Sequence, residues 1–205
     1  MDYTKLASDE VIEKTAKGLE GRRFKSMVVG SGKEALAAIQ GLIPEGASVM
    51  NGSSVTLEEI GFVEYLKSGS HKWNNLHAGV LAENDQAKRA DLRRRSVLSD
   101  YYLGSVHAIT EDGEMVIASN TGSQQPHLVY TSPNLILVVG AQKIVPTLPA
   151  AFERLEKHVI PLEDEHMKKL YGSGTMHNKT VILHGESPMM KRSATVIIVK
   201  EELGF

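Results

Sequence analysis

The chain of 205 residues is 41% hydrophobic and 23% charged, the balance of a folded protein with one substantial core, which excludes a disordered or fibrous one. A formal charge of -2 lacks the basic excess that nucleic-acid binding draws on, and the absence of cysteine removes disulfides, a thiolate nucleophile and any cysteine-ligated iron–sulfur cluster. No run approaches the roughly 20 apolar residues of a membrane span, and the opening MDYTKLASDE has no apolar segment, so no membrane role and a cytoplasmic location are the expectations.

In chain order, Val11, Ile12, Ala16 and Leu19 recur at helical spacing behind Ser8, which predicts an N-terminal helix within residues 1–22, packed on the main body. KSMVVGSGKEALAAIQGLI then reads as a buried strand over 26–29, a Gly30-Ser31-Gly32 turn, and a helix with Ala35, Ala38, Ile39 and Leu42 on one face. The pattern repeats at once. Residues 47–50 form a short apolar strand, Gly52, Ser53 and Ser54 a turn, and Thr56 with Glu59 a capping box that opens a helix toward Leu66. Two successive strand–helix units predict an α/β fold with a mostly parallel sheet.

Residues 67–75 read as a connection and 81–98 as one further helix, whose basic cluster Lys88 to Arg95 is a solvated face. After Asp100 strand signals crowd together, at 101–109, 115–118, 128–131 and 135–139, and Asp112-Gly113 predicts a small β-hairpin added to the sheet. Thr147-Leu148-Pro149 starts a helix, a second covers 163–171, and the tail returns to strands at 180–183 and 194–199. That last pair forms a terminal hairpin or two strands of the sheet. No repeat or linker divides the chain, so residues 1–205 read as a single domain.

Three Gly/Ser turns follow strands: Gly30-Ser31-Gly32, Gly52-Ser53-Ser54 and Thr121-Gly122-Ser123. In an open parallel sheet such turns lie where ligands gather, and they bring free N–H groups and hydroxyls to an anion. Ordinary turn geometry and helix capping explain the same residues. Lys143, after Gly140-Ala141-Gln142, would place an ammonium at the same edge, to neutralise a phosphate or carboxylate. His107 offers an imidazole for acid/base work, against the plainer reading of a buried strand histidine. The other histidines show no metal-ligand spacing, so no metal is expected, and neither a GxSxG elbow nor a P-loop is present.

Together, GSVHAITEDGEMVIASNTGSQQ and LILVVGAQKIVPTLPAAFERLEKHVIPLEDE strongly resemble the lactate-utilisation (LUD) domain family, once catalogued as a domain of unknown function. The likeness spans 28–165 in organisation, is most specific over 100–165, and has VVGAQKIV as its best marker. It implies a Rossmann-like open sheet with helices on both faces, as in ribose-5-phosphate isomerase, glucosamine-6-phosphate deaminase and the CoA transferases. It further implies that Gly52, Ser53, Ser54, Thr121, Gly122, Ser123, Gln142 and Lys143 converge on one ligand, with Gly104, Ser105 and His107 as its other wall. Asn120 stands where many members carry Glu, and no Glu occupies the place of a CoA transferase's covalent carboxylate. The motifs of the isomerase are absent as well.

The resemblance implies binding of a small anionic metabolite or cofactor of unknown identity, bearing phosphate or carboxylate. The chain would be a cluster-free component or relative of an L-lactate oxidation system, beside an iron–sulfur redox partner protein. Two alternatives stand: an acid/base enzyme on a sugar phosphate or acyl-CoA, with His107 or Glu111 as base, and a structural subunit of an iron–sulfur redox complex. Homo-oligomerisation stays open.

Overall fold

The computed structural model describes residues 2–205. Its larger sheet has six strands, all parallel, in the order β1-β10-β7-β4-β2-β3. These are β1 (Lys25–Val29), β2 (Ser48–Asn51), β3 (Asn74–Asn75), β4 (Tyr101–Gly104), β7 (Asn134–Gly140) and β10 (Ser193–Val199). The near-continuous apolar runs of β7 and β10 have the texture of strands covered on both faces. One face packs Leu135, Leu137, Val139, Val196 and Ile198 beneath α1 (Asp9–Gly21), and the other packs Ile136, Val138 and Ile197 against α2 (Gly32–Leu42), α3 (Val55–Glu59) and α4 (Phe62–Ser68).

A second sheet holds four strands in the order β8-β5-β6-β9: β5 (Ala108–Thr110), β6 (Met115–Ser119), β8 (Ile144–Val145) and β9 (Lys179–Leu183). The Asp112-Gly113 hairpin joins β5 and β6, as the sequence suggests, and the last two strands divide between the sheets. Gly113 has φ +88, and a Cβ there would lie 2.6 Å from the backbone nitrogen of Leu19 in α1. The hairpin tip and the N-terminal helix therefore meet through backbone.

The two sheets are continuous through two short links. β4 leaves the large sheet at Gly104 and re-enters the small one as β5 after Ser105-Val106-His107; its neighbour β7 does the same through Ala141-Gln142-Lys143 into β8. Because β4 pairs with β7 and β5 with β8, the links run side by side.

Several elements differ from expectation. The strand expected over 101–109 breaks into β4 and β5, the helix expected toward Leu66 breaks at Gly61 into α3 and α4, and β1, expected to be buried, is an edge strand with Val28 exposed. Residues 128–131, rich in β-formers, lie in a π-helical turn, His127–Thr131, behind Pro126, whose φ -55 and ψ -43 start helical geometry. The helix over 81–98 is two, α5 (Leu76–Ala82) and α6 (Gln86–Arg95), because the Asp85 side chain accepts from the Lys88 N–H and restarts the helix. The two helices expected after Thr147 form one run: α7 (Leu148–Arg154), a π-helical turn (Leu155–Val159) and α8 (Ile160–Tyr171). The wide turn lets Pro161 sit inside a continuous helix, because it relaxes the clash a proline makes with the preceding turn.

Candidate functional site

At the carboxyl ends of β2 and β4, beside the two links, lies a crevice of about 310 Å³. Its floor comes from the turn after β2, with Gly52, Ser53 and Ser54, and from the β4–β5 link, with Gly104, Ser105 and His107. Thr121 and Ser123 come from the loop beyond β6, and Lys143 from the β7–β8 link. The opposite wall is mostly apolar, with Leu155, Val159 and Ile160 from the π-helical turn and its exit, Met167 and Tyr171 from α8, and Phe205 from the tail; Glu163 and His166 of α8 also line it, paired to each other at 3.2 Å.

The turn after β2 is held close to the sheet. A Cβ on Gly52 would lie 2.6 Å from the Tyr102 hydroxyl, so only glycine lets the backbone pass there. Ser54 caps α3 by accepting from the Leu57 N–H, in place of the expected Thr56 capping box, and the Thr56 hydroxyl instead donates to the Leu203 carbonyl at 3.3 Å. Among the described residues no protein acceptor takes the backbone N–H of Ser53 or Ser54. The Gly30-Ser31-Gly32 turn is different: Glu34 accepts from the Gly30 N–H and Glu201 from the Gly32 N–H, both at 2.8 Å.

Lys143 is 3% exposed. Its Nζ donates to Thr56 Oγ1 at 2.9 Å and Ser105 Oγ at 3.3 Å, and among the described residues it makes no ion pair. Burial lowers its pKa to about 7, helped by the nearby Arg154 charge and opposed by Glu59. The Glu59 carboxylate is itself occupied by the Gly204 N–H at 2.6 Å. Arg154, with no exposed surface, donates through Nη1 to the His107 carbonyl, while its Nε and Nη2 have no partner among the described residues. Lys143 thus lines the crevice and Arg154 lies fully buried behind the His107 backbone, and among the described residues neither is ion-paired or hydrogen-bonded to a carboxylate.

His107 accepts at Nδ1 from the Ala118 N–H at 3.0 Å. Burial, then the charges of Lys143, Arg154 and His177, lowers its pKa to about 3. The ring is neutral near pH 7 and carries its proton on Nε2, so it is a hydrogen-bond donor there.

The structure brings Gly52, Ser53, Ser54, Gly104, Ser105, His107, Thr121, Ser123 and Lys143 to one crevice. Three other candidates point elsewhere. Gln142 faces the tail and donates to the carbonyls of Leu203 and Gly204. Gly122 lies behind the rim, where its N–H donates to Ser119 Oγ, and the Ser123 N–H donates to Thr121 Oγ1, so this turn consumes its own amides. Glu111 sits on the hairpin and pairs with Lys14 at 2.9 Å, remote from the crevice, where it cannot act as a base on a ligand held there. Sequence reading missed Thr56 and Arg154. Thr56 lies two residues beyond Ser54 and was legible; Arg154 looks like any helical arginine until the fold buries it. No three His, Asp or Glu side chains gather as a metal site among the described residues, and no helix there is long and apolar enough to cross a membrane.

A family model described as the LUD domain matches residues 12–199. The solved structure of a DUF162 family protein from Deinococcus radiodurans superposes with a TM-score of 0.58 at 14% identity, covering 95% of this chain and 99% of that one. Ribose 5 phosphate isomerase A from Neisseria gonorrhoeae is similar at a TM-score of 0.41 and 11% identity, over 85% of this chain and 94% of that one. At these identities the likeness is one of fold. No curated protein matches the chain.

Proposed function

The chain belongs to the LUD domain family, and from that premise we propose that its strand-end crevice binds a small anionic metabolite or cofactor, bearing carboxylate or phosphate. The observation that carries this reading is the buried Lys143 with only hydroxyls for partners, beside an Arg154 that also lacks a carboxylate. Uncompensated buried charge is costly, and an anion entering the crevice removes that cost. The free N–H groups of Ser53 and Ser54 and the fixed donor of His107 supply hydrogen bonds that an anion can accept. In the same reading the chain is a cluster-free component or relative of a lactate-utilisation system, and its iron–sulfur chemistry resides in a partner protein; the family and the absence of cysteine support this.

A melting-temperature screen against lactate, phosphosugars, CoA esters and inorganic phosphate tests the crevice. At least one anion should stabilise the protein, and the shift should vanish in Lys143→Ala. An anion also draws a proton onto Lys143, so its affinity should fall as pH rises through about 7. A shift that survives Lys143→Ala unchanged would remove this lysine from the site.

A further inference from the structure

The surroundings of Lys143 suit a reaction as well as a charge. Its amine is nearly sealed from bulk water and opens only onto the crevice, the Arg154 guanidinium beyond His107 opposes a second positive charge, and its hydrogen-bond partners are two hydroxyls. A lysine desolvated and set near another cation is readied as a nucleophile toward carbonyl carbon. The opposite wall, Leu155, Val159, Ile160 and Met167, offers hydrocarbon contact. We infer that Lys143 forms a reversible imine with a small 2-oxo acid bearing an apolar side chain, an inference that rests on the anion-binding reading above.

The charge balance selects this class. A protonated imine at Nζ is a buried cation, and a carboxylate on the adjacent carbon compensates it internally, where an aldehyde or simple ketone leaves it exposed to the Arg154 field. In the reaction the Nζ lone pair forms an N–C bond to the carbonyl carbon, the C=O pair moves to oxygen, and a proton passes from nitrogen to that oxygen. The resulting carbinolamine loses its C–O bond; oxygen departs as water with one proton taken up from solvent, and the nitrogen pair closes C=N. Nothing is oxidised or reduced. The hydroxyls of Thr56 and Ser105, within hydrogen-bond reach of Nζ, are placed to pass these protons.

Borohydride reduction of the full chain incubated with 4-methyl-2-oxopentanoate, followed by peptide mass mapping, tests the proposal. The expected product is one adduct per chain, heavier by the acid less one oxygen atom, on Lys143. It should be absent in Lys143→Arg, and trapping should be fastest near pH 7, where ordinary lysines remain ammonium. Thr56→Val keeps the amine and should slow trapping about tenfold or more, so the proposal stays testable if Lys143→Arg fails to fold. Label scattered over exposed lysines without preference for Lys143 overturns it. So does an unlabelled Lys143 when the same acid raises the melting temperature, an outcome that leaves anion binding standing; no shift with any anion removes both readings.

Discussion

The turns after β1 and β2 are near copies in sequence and opposite in chemistry. Each runs from a strand through Gly and Ser into a helix capped by serine, Ser31 in one and Ser54 in the other. At the first, Glu34 and Glu201 accept from the amides of Gly30 and Gly32. At the second, among the described residues the amides of Ser53 and Ser54 have no protein acceptor, and the nearby charge is a buried ammonium hydrogen-bonded to hydroxyls and not ion-paired. A Gly/Ser turn at a strand end becomes a site when the protein leaves its donors unspent and places a matching charge beside them.

The largest test of that contrast removes the charge. Lys143→Met should abolish the anion-induced melting shift, and it should also flatten a pH dependence. Between the folded pKa of about 7 and the ordinary value of 10.5, the unfolded chain holds a proton that the folded chain lacks. Stability from this group therefore rises as pH climbs from 7 to 10.5, by on the order of 4 kcal/mol if it acts alone. Urea unfolding of wild type and Lys143→Met across that range should differ by this slope.

Next in size is Gly52→Ala, whose new methyl meets the Tyr102 hydroxyl at 2.6 Å. It should cost about 1–3 kcal/mol in urea unfolding and weaken anion binding, because the turn must lift from the sheet. Thr56→Val should lower anion affinity roughly fivefold to tenfold by titration calorimetry, the worth of about one hydrogen bond. Smallest is Ser31→Ala, which should remove about 1 kcal/mol of stability as a lost cap and leave the anion-induced shift unchanged. If Ser31→Ala erases that shift while Thr56→Val does not, the two turns have been assigned the wrong way round.

The sheet was legible because β1, β2, β7 and β10 are short apolar runs followed by turn residues, an imprint that burial on both faces leaves most strongly in β7 and β10. The pairing of β8 with β5 was not, since two residues, Ile144 and Val145, are too few for any periodicity. At His127–Thr131, a turn with helical geometry buries His127 and Leu128 and leaves the strand-forming Val129 and Tyr130 exposed, and stacking of His127 on Tyr102 at 4.2 Å holds it there against strand preference. In the crevice the Gly/Ser turns and Lys143 were visible as residue types, but the state of their hydrogen bonds was not. For Lys143 that state is set by Thr56 and Ser105, 87 and 38 residues away in the chain.

The two three-residue links carry a mechanical consequence. Each is a splice between sheets, and the crevice sits on both splices, so a ligand that touches Ser105 and Lys143 together fastens the large sheet to the small one. Amides of β9, at the far edge of the small sheet, would then exchange with solvent more slowly on binding, though none of them meets the ligand.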